Sequence, residues 1–180
     1  MYPLMDITFD GLRMRTLTAP DAELVVEATR NETGPAFWGP RPVGPYSLRD
    51  AQTALQEWDH TSASQVSYGV LDGPRLIAVL GLMSSGPAVA ELAYWVRPES
   101  RRRGVALRSA RAITQWAHQE AGLQRVWLEI NPDNGASLRL AERADYRFDE
   151  RLPNHCRSWA VDDPDLDEWH DCLIWVHDAD

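Results

Sequence analysis

Three consecutive arginines and a glycine stand at the start of a helical pattern in a chain that is otherwise acidic. The segment RRRGVA, residues 101–106, follows the strand-like stretch AELAYWV with only RPES between them. A helix N-terminus presents unpaired main-chain N–H groups and the positive end of the helix dipole, which together bind phosphate. Gly104 allows close approach of an anion, and arginine side chains add charge-assisted hydrogen bonds. The segment predicts a cradle for a polyanionic cofactor, and a solvated basic turn is the alternative.

Two further polar groups flank this segment along the chain. Glu91 opens the strand-like stretch before it, and the spaced residues Asn131, Asn134 and Ser137 follow the next apolar stretch, VWLEI. A carboxylate can accept a proton, and amide and hydroxyl groups can hydrogen-bond a ligand. The alternative for the two asparagines in NPDNG is work within a turn and at a helix N-cap.

The surrounding elements form an α+β pattern. Alternating or apolar strand patterns occur at 12–17, 67–71, 76–83, 88–96, 126–130, 146–152 and 172–176, and helical patterns at 21–30, 48–59, 105–122 and 136–144. Capping-box spacings at Thr18 and Ser47 precede the first two helices, and residues 72–75 form a hairpin turn. The order β-αα-βββ-α-β-α-ββ predicts a mixed sheet of about seven strands with four helices on its faces. It argues against a Rossmann fold and favours one domain over residues 1–180.

Composition excludes several classes of partner. The net charge of −9 in 180 residues opposes binding to nucleic acid or to anionic membranes and attracts cations. The apolar runs are too short to span a membrane, and the N-terminal residues lack a signal-peptide pattern, so we expect a cytoplasmic protein. Cys156 and Cys172 are expected as reduced thiols, although a cross-strand pair stays open. The histidines lack metal-ligand spacing, so no metal is expected.

The succession of ELAYWV, RRRGVA and N-x-x-N-x-x-S resembles the GNAT family of acetyl-CoA-dependent N-acyltransferases, whose pyrophosphate loop reads R/Q-x-x-G-x-G/A at this place. The nearest branch acetylates the N-termini of ribosomal proteins (Rim-like enzymes), and its relatives act on polyamines and small amines. The resemblance extends over about residues 12–176 and implies a GNAT-like, mostly antiparallel sheet. One departure is ADY at 144–146, where the family commonly has Gly-Phe. Asp145 must therefore adopt the left-handed conformation that the glycine would take.

The resemblance also implies where acetyl-CoA binds. The main chain of residues 102–106 would hold the pyrophosphate, and the main chain of Trp95 and Val96 would pair with the pantetheine arm. Asn134 and Ser137 would contact the pantetheine or the sulfur end. The expected cofactor-binding residues are Trp95, Val96, Arg101, Arg102, Arg103, Gly104, Val105, Ala106, Asn131 and Asn134.

Direct transfer of an acetyl group to an amine requires removal of a proton. An alkylamine of pKa near 10.4 is almost wholly protonated at pH 7, so forming the neutral amine costs roughly 4–5 kcal/mol. By resemblance Glu91 is the expected base, with an ion pair or solvent exposure as the alternative. Ser137 could bond the departing thiolate or cap its helix. The tyrosine that many relatives use as acid is replaced by Ala141, and neither a metal nor a covalent enzyme intermediate is needed.

The acceptor pocket is expected near the aromatic residues Phe37, Trp38 and Trp58, for which packing in the core is the alternative. A primary amine, on a protein N-terminus or a small cationic molecule, is the expected acceptor. The acidic stretch 161–171 could concentrate such cations or serve only as a solvated loop. A non-catalytic acyl-CoA sensor, a longer acyl donor such as succinyl-CoA, and a homodimer remain open.

Overall fold

An eight-stranded sheet organises the residues that the computed structural model describes, namely 2–33, 44–62, 64–157, 165 and 167–179. The strands are β1 (Asp6–Phe9), β2 (Leu12–Thr16), β3 (Gln65–Asp72), β4 (Arg75–Gly86), β5 (Val89–Val96), β6 (Arg125–Ile130), β7 (Arg147–Arg157) and β8 (Trp169–Asp178). The helices are α1 (Ala22–Thr29), α2 (Leu48–Glu57), α3 (Val105–Gln119) and α4 (Gly135–Arg143). Short 3₁₀ turns at Ala19–Asp21 and Pro98–Ser100 precede α1 and α3.

The sheet has one parallel pair among antiparallel neighbours. Its order is β1-β2-β3-β4-β5-β6-β8-β7, and β5 with β6 is the parallel pair. The α+β class, the mostly antiparallel sheet and the four helices are therefore confirmed. No helix in the described ranges is long and apolar enough to cross a membrane.

Helices cover both faces of the sheet. Buried residues of α3 and α4 pack with one face in the larger cluster, and those of α1 and α2 pack with the other face. The neighbours Leu76 and Ile77 on β4 belong to opposite clusters, because successive strand side chains point to opposite faces. Burial on both faces explains why β4 is continuously apolar instead of alternating.

The structure adds an N-terminal strand that sequence analysis did not predict. β1 pairs with β2 across Asp10 and Gly11, whose φ angles of 46° and 77° are those of a two-residue hairpin turn. The Asp-Gly pair between two alternating stretches was the available signal. The predicted hairpin at residues 72–75 and the capping box between Ser47 and Asp50 are confirmed.

Cys156 and Cys172 form a disulfide between β7 and β8, with their Cα atoms 5.8 Å apart. The expectation of two reduced thiols is wrong for this structure, and the cross-strand pair that was left open is present. The physical reason is the strand register. Cys156 pairs with His170 and Leu152 with Cys172, and an irregularity between Leu152 and Cys156 brings the two cysteines together on one face.

Candidate active site

The two parallel strands separate and open a cleft in the middle of the sheet. Pairing between β5 and β6 is confined to residues Val89–Glu91 and Arg125–Trp127, although both strands continue beyond it. The Arg97 N–H bonds the Ile77 carbonyl on β4 at 2.9 Å. Since main-chain groups alternate along a strand, those of Val96 and Tyr94 point the other way, into the cleft. The edge of β5 can therefore pair with an extended ligand.

The opened strands border a cleft of about 680 Å³. Its walls come from the second half of β5, the loop before α3, the end of β6 and the first turns of α3 and α4. Trp95, Val96, Arg101, Arg102, Gly104, Val105, Ala106, Asn131, Asn134, Glu91 and Ser137 all line it. Most of the residues expected at the site thus surround one cleft, while Arg103 lies outside its lining.

The loop before α3 has the shape of an anion cradle. Arg102 and Gly104 have φ angles of 61° and 72°, and Gly104 is the N-cap of the helix. The first helical hydrogen bond runs from the Arg108 N–H to the Gly104 carbonyl, so the N–H groups of the intervening residues have no partner within the helix. Apart from Gly104 and its two neighbours in the chain, no heavy atom of the described residues lies within 4 Å of where a Gly104 Cβ would stand. This free space beside exposed N–H groups fits a pyrophosphate.

Ion pairs with α1 and the residues after it hold that loop in place. The buried Arg97 guanidinium donates to the Glu27 carboxylate at 2.7 and 2.8 Å. The buried Glu32 accepts from Trp95 Nε1 at 2.5 Å and from the Arg101 guanidinium. Arg101 also donates to the Val96 carbonyl at 2.9 Å. The Arg101 side chain, expected at the cofactor, is therefore engaged in shaping the loop, whereas Arg102 and Arg103 are exposed and form no ion pair with any described residue.

Glu91 stands at the point where the two strands part. Its side chain forms no ion pair or hydrogen bond with any residue in the described ranges, so the ion pair that was the alternative to a base is not found among them. Burial raises the pKa of Glu91 to about 7, and the nearby Glu129 carboxylate adds to this increase. A carboxyl group with this pKa is about half ionised at neutral pH and can accept a proton.

Glu129 is a site residue that the sequence did not reveal. It lines the cleft on β6, on the same face of the sheet as Glu91, and burial raises its pKa against the opposing effect of His155 and His170. Cys156 and His170 also line this part of the cleft. Two carboxyl groups, an imidazole and a disulfide sulfur thus line the end of the cleft where Glu91 lies.

Tyr94 and Ser137 meet on the other face of β5. The Tyr94 hydroxyl donates to Ser137 Oγ at 2.7 Å, and burial raises the pKa of Tyr94. Ser137 does not cap its helix with its hydroxyl; its N–H is instead capped by Asn134 Oδ1 at 3.1 Å. A hydroxyl pair therefore stands near the position where the expected tyrosine acid is replaced by the buried Ala141.

The two asparagines perform the structural roles that were left open for them. Asn134 is the N-cap of α4, and Asn131 Oδ1 accepts the Asp133 N–H at 2.8 Å within the turn. Both also line the cleft, so these roles shape its wall. Contact between either residue and the cofactor remains a prediction.

The aromatic acceptor residues are only partly described. Phe37 and Trp38 lie outside the described residues. Trp58 follows α2 and packs against the sheet at Gly81, where an added Cβ would lie 2.3 Å from its ring. Gly81 pairs with Ala93, two residues after Glu91 on the same strand. Trp58 therefore covers the face of the sheet that carries Glu91, without lining the cleft itself.

Comparisons with known proteins agree with this geometry. An acetyltransferase (GNAT) domain model matches residues 11–147. An uncharacterized N-acetyltransferase (YoaA) from Bacillus subtilis is 25% identical over 146 residues, which cover 78% of this chain and 80% of that protein.

Solved structures share the fold. A ribosomal-protein-S5-alanine acetyltransferase from Vibrio fischeri superposes with a TM-score of 0.81 at 14% identity, covering 98% of this chain and 97% of that one. A ribosomal-protein N-terminal acetyltransferase, RimL, in complex with coenzyme A has a TM-score of 0.80 at 16% identity, and the match covers 98% of this chain and 99% of RimL. A spermidine N-acetyltransferase chimera that includes Vibrio cholerae sequence has a TM-score of 0.74 at 14% identity, and the match covers 94% of this chain and 96% of the chimera. With the domain match over most of its length, the chain belongs to the GNAT acetyltransferase family.

Proposed function

We propose that the chain transfers an acetyl group from acetyl-CoA to a primary amine, on a protein N-terminus or on a small cationic molecule, without a covalent enzyme intermediate. The observation that carries the proposal is the arrangement around β5. Glu91 and Tyr94 project from opposite faces of this strand beside the point where it leaves β6, and the anion cradle lies at the end of the same cleft. A proton acceptor and a proton donor thus flank one reaction centre.

Each part of the cleft has one task in this reaction. The N–H groups at the start of α3 hold the pyrophosphate, assisted by the charge of Arg102. The cleft-facing main chain of β5 aligns the thioester as an added strand would be aligned, and its N–H groups stabilise negative charge on the thioester oxygen. Positioning of this kind contributes a large part of the rate in acyl transfer.

Three proton transfers complete the reaction. Glu91, with its pKa of about 7, takes the proton from the incoming ammonium group, directly or through water. As the carbon–sulfur bond breaks, the Tyr94 hydroxyl or the Ser137 hydroxyl bonded to it donates to the departing thiolate. The adduct nitrogen then loses its second proton, which passes through water to that hydroxyl and restores it. Glu129 adds a second carboxyl group beside Glu91, which favours a cationic acceptor over a neutral or anionic one.

Two kinds of acceptor occur in the names of the structural neighbours and support the proposal. The named neighbours are acetyltransferases of ribosomal proteins or of spermidine, and the net charge of −9 favours a cationic acceptor. The ion pair between Arg157 and Asp167 engages one acid of the acidic stretch. We assign the attraction to Glu91 and Glu129, because both of these carboxyl groups line the cleft.

The test is acetyl transfer by the purified chain to a panel of acceptors. The panel contains polyamines, aminated small molecules and peptides with free or blocked N-termini, with acetyl-CoA and succinyl-CoA as alternative donors. We expect thiol release with acetyl-CoA, together with a mass increase of one acetyl group on an unblocked cationic amine. Binding of acetyl-CoA without turnover on any acceptor would contradict an enzyme and favour a sensor of acyl-CoA.

A further inference from the structure

Two cysteines and a histidine form a compact cluster of ligand atoms at the Glu91 end of the cleft. The sulfur atoms of Cys156 and Cys172 and a ring nitrogen of His170 all lie within 4.8 Å of one another. Cys172 is fully buried, whereas Cys156 and His170 line the cleft. The cluster is therefore anchored in the protein on one side and reachable by a solute on the other.

An oxygen donor stands beside the cluster. Oε1 of Glu129 lies 2.8 Å from Cys156 Sγ, and Oε2 of the same carboxylate lies 3.7 Å from His155 Nε2. Glu129 lies on β6, while the cysteines and the histidines lie on the antiparallel pair β7 and β8. Three adjacent strands thus direct two sulfur atoms, one imidazole and one carboxylate to the same place.

We propose that the reduced form of this cluster binds a thiophilic divalent cation of the Zn²⁺ class through Cys156, Cys172 and His170, with Glu129 as the fourth ligand. Zinc binds sulfur at about 2.3 Å and imidazole nitrogen at about 2.0–2.1 Å, so tetrahedral ligand atoms stand roughly 3.3–3.8 Å apart. The ligand atoms already lie within 4.8 Å of one another, so small side-chain rotations bring them around one ion. Soft thiolates select such a metal over magnesium or calcium.

The disulfide must open before the metal binds. A dithiol or phosphine reductant supplies two electrons, which break the bond between the two sulfur atoms, and two protons convert them to thiols. Metal binding then releases both thiol protons, because the thiolate is the ligand. The Cα separation of 5.8 Å is set by two adjacent strands and does not have to change in either form.

A bound cation would act on the acceptor side of the cleft. The two thiolates balance the charge of the ion, so its binding would add no net charge beside Glu91, but it would withdraw the Glu129 carboxylate from the path of a cationic amine. This consequence rests on the proposed function, whereas metal binding itself does not.

The direct test is titration of the phosphine-reduced full chain with Co²⁺ under anaerobic conditions. We expect one equivalent to bind, with a thiolate-to-cobalt charge-transfer band in the near ultraviolet and the intense visible bands of tetrahedral cobalt. Added Zn²⁺ should abolish both. The air-oxidised chain, in which the disulfide is intact, should give neither band.

Variants separate this site from adventitious binding. Cys156→Ser and Cys172→Ser should each lower the charge-transfer intensity by about half, because each removes one of two thiolate ligands. His170→Asn should lower the affinity for Co²⁺ at least about 10-fold, because loss of a residue that only supports a metal ligand already has an effect of that size. His60→Asn is the matched control, because His60 pairs with Asp59 and lies outside the cluster. Cys156 and His170 are only half-buried, so their variants test the site even if the buried Cys172→Ser variant fails to fold. Absence of a charge-transfer band in the reduced chain, or a band unchanged in Cys156→Ser and His170→Asn, would overturn the proposal.

Discussion

A single methyl group added at Gly104 should separate cofactor binding from folding. Gly104 stands at the N-cap of α3 with a φ of 72°, and its Cβ position is open, with no atom of the described residues beyond its two chain neighbours within 4 Å. Gly122, which follows the other end of the same helix, has a φ of 68° and an equally open Cβ position. Alanine at these two sites therefore imposes the same strain on the chain, but only the methyl group at residue 104 enters the proposed pyrophosphate site.

The magnitudes follow from these two observations. A non-glycine residue in the left-handed region costs roughly 1–2 kcal/mol. Restriction of the unfolded chain by alanine offsets about 0.4–1 kcal/mol of that cost. Both variants should thus lose about 1 kcal/mol of unfolding free energy and remain folded. An intruding methyl group in a close contact costs about 1–3 kcal/mol, which corresponds to a factor of about 5–150 in Kd.

The assay is calorimetric titration of coenzyme A into wild type, Gly104→Ala and Gly122→Ala, with denaturant unfolding of each. We expect Gly122→Ala to keep the wild-type Kd and Gly104→Ala to lose affinity by about 5–150-fold, with similar unfolding free energies. Equal coenzyme A affinities in the two alanine variants would refute the assignment of the loop.

Two further substitutions test the acid and the helix end. Tyr94→Phe should keep coenzyme A affinity and lower kcat by about 10²-fold, the smaller effect of losing a positioned acid. Tyr68→Phe is its control, because the buried Tyr68 hydroxyl has no hydrogen-bond partner among the described residues; equal loss in both would exclude an acid role for Tyr94. Asp145 has a φ of 65°, a left-handed conformation that strains any residue except glycine. The unfolding free energy of Asp145→Gly should therefore exceed that of Asp145→Ala by about 1 kcal/mol. A more stable alanine variant would contradict this strain.

Local sequence signals predicted the parts of the site that depend on neighbouring residues. The glycine of RRRGVA marks a positive φ at the start of a helix, and Asp145 adopts the left-handed conformation expected from its place in ADY. The hairpin at residues 72–75 is likewise encoded by its own turn residues. The Asp10-Gly11 turn carried the same kind of signal, although β1 was not predicted from it.

Pairings between distant residues could not be predicted in this way. Tyr94 and Ser137 are 43 residues apart and meet only because α4 packs beside β5. The Arg101 guanidinium pairs with Glu32, which lies 69 residues earlier in the chain. The three arginines and their immediate neighbours therefore could not predict this ion pair. The disulfide depends on a register irregularity in β7, and the high pKa of Glu91 depends on its burial between separating strands.

The central claim is most directly tested by the pH dependence of kcat/KM for acetyl transfer in wild type and Glu91→Gln. The carboxylate is the active form of the base, so wild-type kcat/KM should rise with pH and bend near pH 7, the pKa of Glu91. Glu91→Gln should lose this bend, fall by about 10²–10⁴ at neutral pH, and recover at high pH as free amine accumulates. Since Glu129 contributes to the raised pKa, Glu129→Gln should move the bend to lower pH. A Glu91→Gln variant with wild-type activity and an unchanged bend near pH 7 would contradict the account.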